Sequence, residues 1–107
     1  MTERSAYKMV FAPETVEHLA AIGEQYQTLI RKNINEQLNY APDVPTRNRK
    51  QLTQPAPFGA LWEIRFGDNN RFRVYYRVIE RNKTVRILAI GVKERNRLYV
   101  GRKEFRL

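Results

Sequence analysis

Hydrophobic and polar positions along this chain follow two different periods, and the switches between them mark out its elements. From Leu61 to Phe66 the alternation is strict, with Trp62, Ile64 and Phe66 on one face and Glu63 and Arg65 on the other. Arg71–Val78 repeats it, with Phe72, Val74, Tyr76 and Val78 against Arg71, Arg73, Tyr75 and Arg77. A period of two predicts strands with one buried and one solvated face. Between them, Gly67-Asp68-Asn69-Asn70 is a turn of residues that tolerate positive φ. The segment therefore predicts a β-hairpin whose solvated face carries arginines, a tyrosine and a lone carboxylate.

Upstream, the period lengthens. Ala6–Ala12 is a short apolar run that predicts a first strand. Pro13 and Glu14 suit the start of a helix, and Val16, Leu19, Ala20 and Ile22 give Pro13–Ile22 a helical stripe, with Gly23 at its end. A second helix is expected from about Glu24 to Asn39, with Tyr26, Leu29, Ile30, Ile34 and Leu38 near helical spacing. Pro42–Gly59 holds four prolines and reads as the main connection, a mobile basic arm carrying Arg47, Arg49 and Lys50. After a turn near Asn82, Thr84–Val92 is apolar on both faces, the pattern of a central strand. Lys93–Tyr99 reads as a short helix or turn, and Val100–Leu107 as a basic tail. The order β-α-α-β-β-β-tail predicts a single α+β domain over residues 1–107. In it, the N-terminal strand and helical hairpin pack on a small, mainly antiparallel sheet.

Charge sharpens this picture. The chain has 20 Lys and Arg against 11 Asp and Glu, a net +9, and Gly59–Leu107 alone holds 13 basic and 5 acidic residues. A basic half beside a neutral one points to an acidic partner, nucleic acid or an acidic protein segment. The absence of cysteine excludes disulfide and thiolate chemistry. No apolar run approaches the ~20 residues of a membrane span, and MTERSAYKMVF lacks a signal-peptide core, so a cytoplasmic protein is expected. Neither a glycine-rich phosphate loop nor a His/Cys cluster is present. His18 is a lone helical histidine of the kind that is usually structural, and the carboxylates show no metal-binding spacing, so neither metal nor cofactor is expected.

What remains is a basic constellation: Arg65, Arg71, Arg73 and Arg77 on the hairpin, then Lys93, Arg95, Arg97 and Tyr99. Arginine makes planar bidentate contacts to phosphate and stabilises charge building on phosphorus, and tyrosine stacks on an unpaired base. Such a set could support RNA cleavage by the 2′-hydroxyl, with Glu63, a lysine or Tyr99 moving protons. The plainer reading makes Glu63 and Arg65 a surface ion pair worth less than about 1 kcal/mol.

Over nearly its whole length the chain resembles the RelE/ParE toxin superfamily of bacterial type II toxin–antitoxin systems. The resemblance lies in the opening strand and helical hairpin, in RFRVYYRV, in an apolar strand ending LAIGVK, and in the downstream ERNRLY. It implies that fold, a cognate antitoxin as partner, and for the RelE branch a metal-free nuclease acting on mRNA in the ribosome and leaving a 2′,3′-cyclic phosphate. Arg73 then corresponds to the arginine that stabilises the transition state. Arg65 matches a basic residue on the preceding strand, Lys93 or Arg95 the basic group after Gly91, and Tyr99 the tyrosine that positions the nucleotide. Arg47, Arg49, Lys50, Arg71, Arg77 and Arg97 would hold RNA phosphates. Two positions depart from the pattern: Glu63 stands where RelE nucleases are basic, and Lys93 where an arginine is expected. The ParE branch shares the fold, lacks this nuclease set and inhibits DNA gyrase, and a third alternative is an inactive member that only binds an antitoxin or RNA.

Overall fold

The computed structural model describes residues 6–54, 56 and 58–105. The run before Ala6, Pro55 and Pro57 of the connection, and the last two residues of the expected tail lie outside the described residues. Its elements are β1 (Lys8–Phe11), α1 (Thr15–Ile22), α2 (Gln27–Leu38), β2 (Arg49–Gln51), β3 (Trp62–Phe66), β4 (Phe72–Ile79), β5 (Thr84–Glu94), β6 (Arg97–Val100) and β7 (Lys103–Phe105). The strands form one sheet in the order β2-β3-β4-β5-β6-β7, antiparallel throughout, while β1 pairs with β5 in parallel. The α+β architecture is the one expected, with more strands than expected.

The helical hairpin forms where the period predicts it. Leu19 from α1 and Ile30, Ile34 and Leu38 from α2 are buried against Ile64, Val74, Tyr76 and Ile87 of the sheet. Burying side chains of this size contributes roughly 1.5–3 kcal/mol each. The bend between the helices rests on Gly23, at φ 122°, whose N–H donates to Leu19 O. A single 3₁₀ turn, Glu24–Tyr26, then leads into α2.

β5 is the spine. Along one edge it pairs with all of β4; along the other, β1 takes Thr84–Ile87 and β6 takes Gly91–Glu94. Its alternation is broken once. Tyr76 lies opposite Ile87 but Tyr75 opposite Ala89, so Leu88 is an extra residue, a β-bulge. Val85 and Ile87 face the helices before the bulge and Ile90 after it. The two-sided apolar pattern of Thr84–Val92 is therefore partly one buried face that changes parity.

Three expectations are corrected. Lys93–Tyr99 is neither helix nor isolated turn: β5 runs on to Glu94 and turns through Arg95, at φ 58°, into β6. The basic tail folds back as β7 on β6. The connection is no mobile arm, because Arg49–Gln51 adds a strand to the hairpin and Arg65 N–H donates to Asn48 O at 2.9 Å. No helix among the described residues is long and apolar enough to cross a membrane.

Candidate functional site

The hairpin face expected to be solvated is mostly covered. Ala60, Tyr75, Ala89, Leu98 and Val100 form a second, small core on the side away from the helices, with Leu52, Ala56, Phe58, Leu88 and Phe105 packed against it. The connection and the β6–β7 hairpin supply that cover. Beneath its edge Glu63 is 3% and Arg73 4% exposed.

Cross-strand register assembles this cluster. Glu63 lies opposite Tyr75, and Arg65 opposite Arg73. Arg65 Nε donates to Glu63 Oε1 at 2.8 Å, Arg73 Nη1 lies 3.7 Å from Glu63 Oε2, and Arg73 Nε donates to Asn70 O at 2.9 Å. Asn69 and Asn70 both have positive φ, which turns that carbonyl back toward Arg73. Burial acts to raise the Glu63 carboxyl's pKa, but the Arg65 hydrogen bond, the adjacent Tyr75 hydroxyl and the two arginine charges outweigh it and hold the group below its ordinary value. Glu63 is therefore a carboxylate at neutral pH. The Tyr75 hydroxyl is buried without a hydrogen bond of proper geometry. Burial raises its pKa and the nearby Glu63 charge raises it further.

The Glu63–Arg65 pair is thus half-buried and coupled to a second arginine, not the plain surface pair. Arg73 also reaches a groove of about 550 Å³, lined by Asp68, Asn69, Arg71, Arg73, Lys93, Glu94 and Arg95. Gly91 lies opposite Arg73, so β5 puts no side chain in that row. A Cβ there would come within 2.8 Å of Tyr99 O, so glycine is also what lets β6 approach. Arg71 packs over the rings of Tyr26 and Phe72, its guanidinium carbon 5.2 and 5.1 Å from their centroids. Four cations and two carboxylates thus face one concavity.

Other candidates lie elsewhere. Tyr99 is opposite Val92, on the helix side of the sheet, away from Arg73. It lines a neighbouring hollow with Glu94, Arg95 and Arg97, and Glu94 and Arg95 wall both hollows. Arg97 lies 3.6 Å from Glu104. Arg47 and Lys50 are exposed at the β2 edge, and Arg77 is exposed at the far end of β4. Arg49 is corrected from a phosphate ligand to a structural residue. It is buried, and its guanidinium donates to Ala41 O at 2.6 Å, Val44 O at 3.0 Å and Gln37 O, closing the C-terminal end of α2. Its parity opposite Ile64 puts it on the helix side.

Sequence reasoning passed over Asp68 and Glu94, both in the groove. Strand continuation beyond Val92 was the signal for Glu94. It also left His18 without a partner. Between the stretches of β5 edge taken by β1 and β6, the Ile90 N–H would be orphaned, and it donates to His18 Nδ1 at 3.3 Å. Among the described residues, no group of His, Asp and Glu is placed to hold a metal ion.

Among the described residues, a seven-stranded sheet under a helical hairpin is an α+β arrangement consistent with the RelE/ParE toxin superfamily. The family model for the ParE toxin of type II toxin–antitoxin systems, parDE, matches residues 9–97. The chain belongs to that family, and a cognate antitoxin is its implied partner. No curated protein and no solved structure matches the chain.

Proposed function

We propose that this toxin acts on RNA, as a ribosome-dependent endonuclease of mRNA. The observation that carries the reading is the convergence of Arg73, Lys93, Arg71 and Arg95 on one groove, with Arg73 held on two sides by Asn70 O and Glu63. In the reaction, the 2′-hydroxyl gives its proton to solvent as its oxygen attacks the adjacent phosphorus, the 5′-oxygen leaves and takes a proton from solvent, and a 2′,3′-cyclic phosphate and a 5′-hydroxyl form. Negative charge builds on the phosphoryl oxygens, where Arg73 and Lys93 would neutralise it. Glu63 is the strut that keeps Arg65 and Arg73 in place, with both its oxygens turned toward arginine. Tyr99, across the wall of Glu94 and Arg95, would receive the neighbouring base.

The test is primer extension on a reporter mRNA in a reconstituted translation system. The expected result is translation-dependent cuts that vanish in Lys93→Ala, a half-exposed residue whose removal leaves both cores untouched. Uncut mRNA with translation arrested or unaffected would overturn the reading. One observation favours a second reading, inhibition of DNA gyrase without nuclease chemistry. Glu63 already neutralises charge on Arg65 and Arg73 within the protein, where a nuclease would use it on substrate. Growth arrest with intact mRNA and inhibited DNA supercoiling would establish that alternative.

A further inference from the structure

The open face of the sheet carries a second basic cluster that the groove does not use. Arg77 on β4 and Arg86 on β5 are directly opposed in the register. Val10 of β1 is opposite Arg86, which puts Lys8 one diagonal step away on the same face, while Met9 and Phe11 turn to the helices. Lys8, Arg77 and Arg86 are all exposed. Among the described residues, no carboxylate lies within ion-pair distance of any of them. Glu80, the nearest acid along β4, is occupied by Tyr7 and Lys83. Like charges directly opposed across a ladder destabilise the pairing, so the fold gains nothing from this arrangement. In the free chain only solvent and counterions screen it, so a polyanion that displaces them gains charge contacts there.

We infer that Lys8, Arg77 and Arg86 form a second phosphate-backbone contact for structured RNA, separate from the groove. Arg77 lies four residues from Arg73, or about 13 Å along the strand, with the cap of Phe58, Ala60 and Phe105 near the rows between them. Two cationic surfaces so spaced fit a polyanion with charge repeated along its length, and paired arginine forks suit phosphate oxygens. The three groups are cations with no aromatic ring of their own, so their contacts would follow the backbone and not base identity. The inference rests on the RNA-directed reading only for its choice of partner.

Binding of a 16-base-pair RNA duplex, measured against salt without ribosomes, tests it. Arg77→Ser/Arg86→Ser should lower affinity at least tenfold near 0.1 M salt and reduce the salt slope by about 2. Arg31→Ser/Lys32→Ser, which removes the same charge from exposed positions on α2, should cost much less. A second readout separates contact from folding. Arg77→Glu faces Arg86 with an opposite charge, so the melting temperature should hold or rise while RNA affinity falls. Equal losses in the two double variants would overturn the inference, as would unchanged binding by Arg77→Ser/Arg86→Ser. So would an acidic peptide that binds through these arginines when the duplex does not. If Lys93→Ala alone abolishes duplex binding, this surface is wrong and the groove reading stands. If the duplex binds here while mRNA stays uncut, the nuclease reading fails and this surface stands.

Discussion

The two faces of the sheet solve the same burial problem in different ways. On the helix side, aliphatic and aromatic side chains from four strands meet two helices, and a buried charge at the edge, Arg49, is spent on backbone carbonyls. On the other side, a smaller apolar cap shares its space with Glu63, Arg73 and Tyr75, and beyond its edges lie the groove and the Arg77–Arg86 pair. One face spends nearly everything on packing. The other keeps charge in fixed positions at a cost in stability, which is where binding and chemistry are expected.

The largest effects should come from the sealed face. Ile34→Ala removes a fully buried side chain with no exposed route for relaxation and should cost about 3–4 kcal/mol in denaturant unfolding. A loss under about 1 kcal/mol would mean that α2 is not docked as described. Glu63→Gln leaves Arg73 buried without its counter-charge, and a loss of about 3 kcal/mol is expected. Because the Glu63 carboxyl's pKa is depressed in the folded state, that contribution is present above the ordinary carboxylate range and is lost as pH falls through the folded value. The wild type should therefore lose stability in acid more steeply than Glu63→Gln. Parallel curves would show that the pair is not coupled to folding.

A smaller effect belongs to the seam between the faces. His18 Nδ1 accepts the Ile90 N–H, which requires a neutral ring. Burial lowers the ring's pKa, against the opposing pull of Glu14 and Glu17. The unfolded chain then takes up a proton at higher pH than the folded one. Stability is complete above about pH 6.5 and declines as pH falls through the folded value. About 1 kcal/mol should be lost with this bond, and His18→Gln should flatten the decline below about pH 6.5. A wild type with no decline there would break the assignment.

How far the sequence reveals each face follows the same division. The helix-side core was legible because a single period places Ile30, Ile34 and Leu38 on one stripe and Ile64, Val74 and Tyr76 on another. The open face was not, because its cover comes from Ala60, Phe58 and Phe105, which belong to the connection and the tail and carry no period linking them to the hairpin. For that reason Glu63, Arg73 and Tyr75 read as solvated. Parity hid the rest. The Leu88 bulge moves β5 side chains between faces, and Tyr99 falls on the helix side only because β6 pairs in the register that sets it opposite Val92. Local pattern predicts alternation but cannot tell which face a later strand will join. The basic residues of the groove were named from sequence. Their partners, Asn70 O and Glu63, and the groove carboxylates Asp68 and Glu94 needed the fold.

The central claim is that the open face holds Arg73 for work on a phosphate while the helix face holds the fold. Arg73→Lys separates these roles, because it keeps the charge beside Glu63 and gives up the planar fork. Its unfolding curve should stay within about 1 kcal/mol of wild type, because the buried charge beside Glu63 is retained, while translation-dependent mRNA cleavage and growth arrest are abolished. A folded Arg73→Lys protein that cuts mRNA and arrests growth as the wild type does would contradict the account.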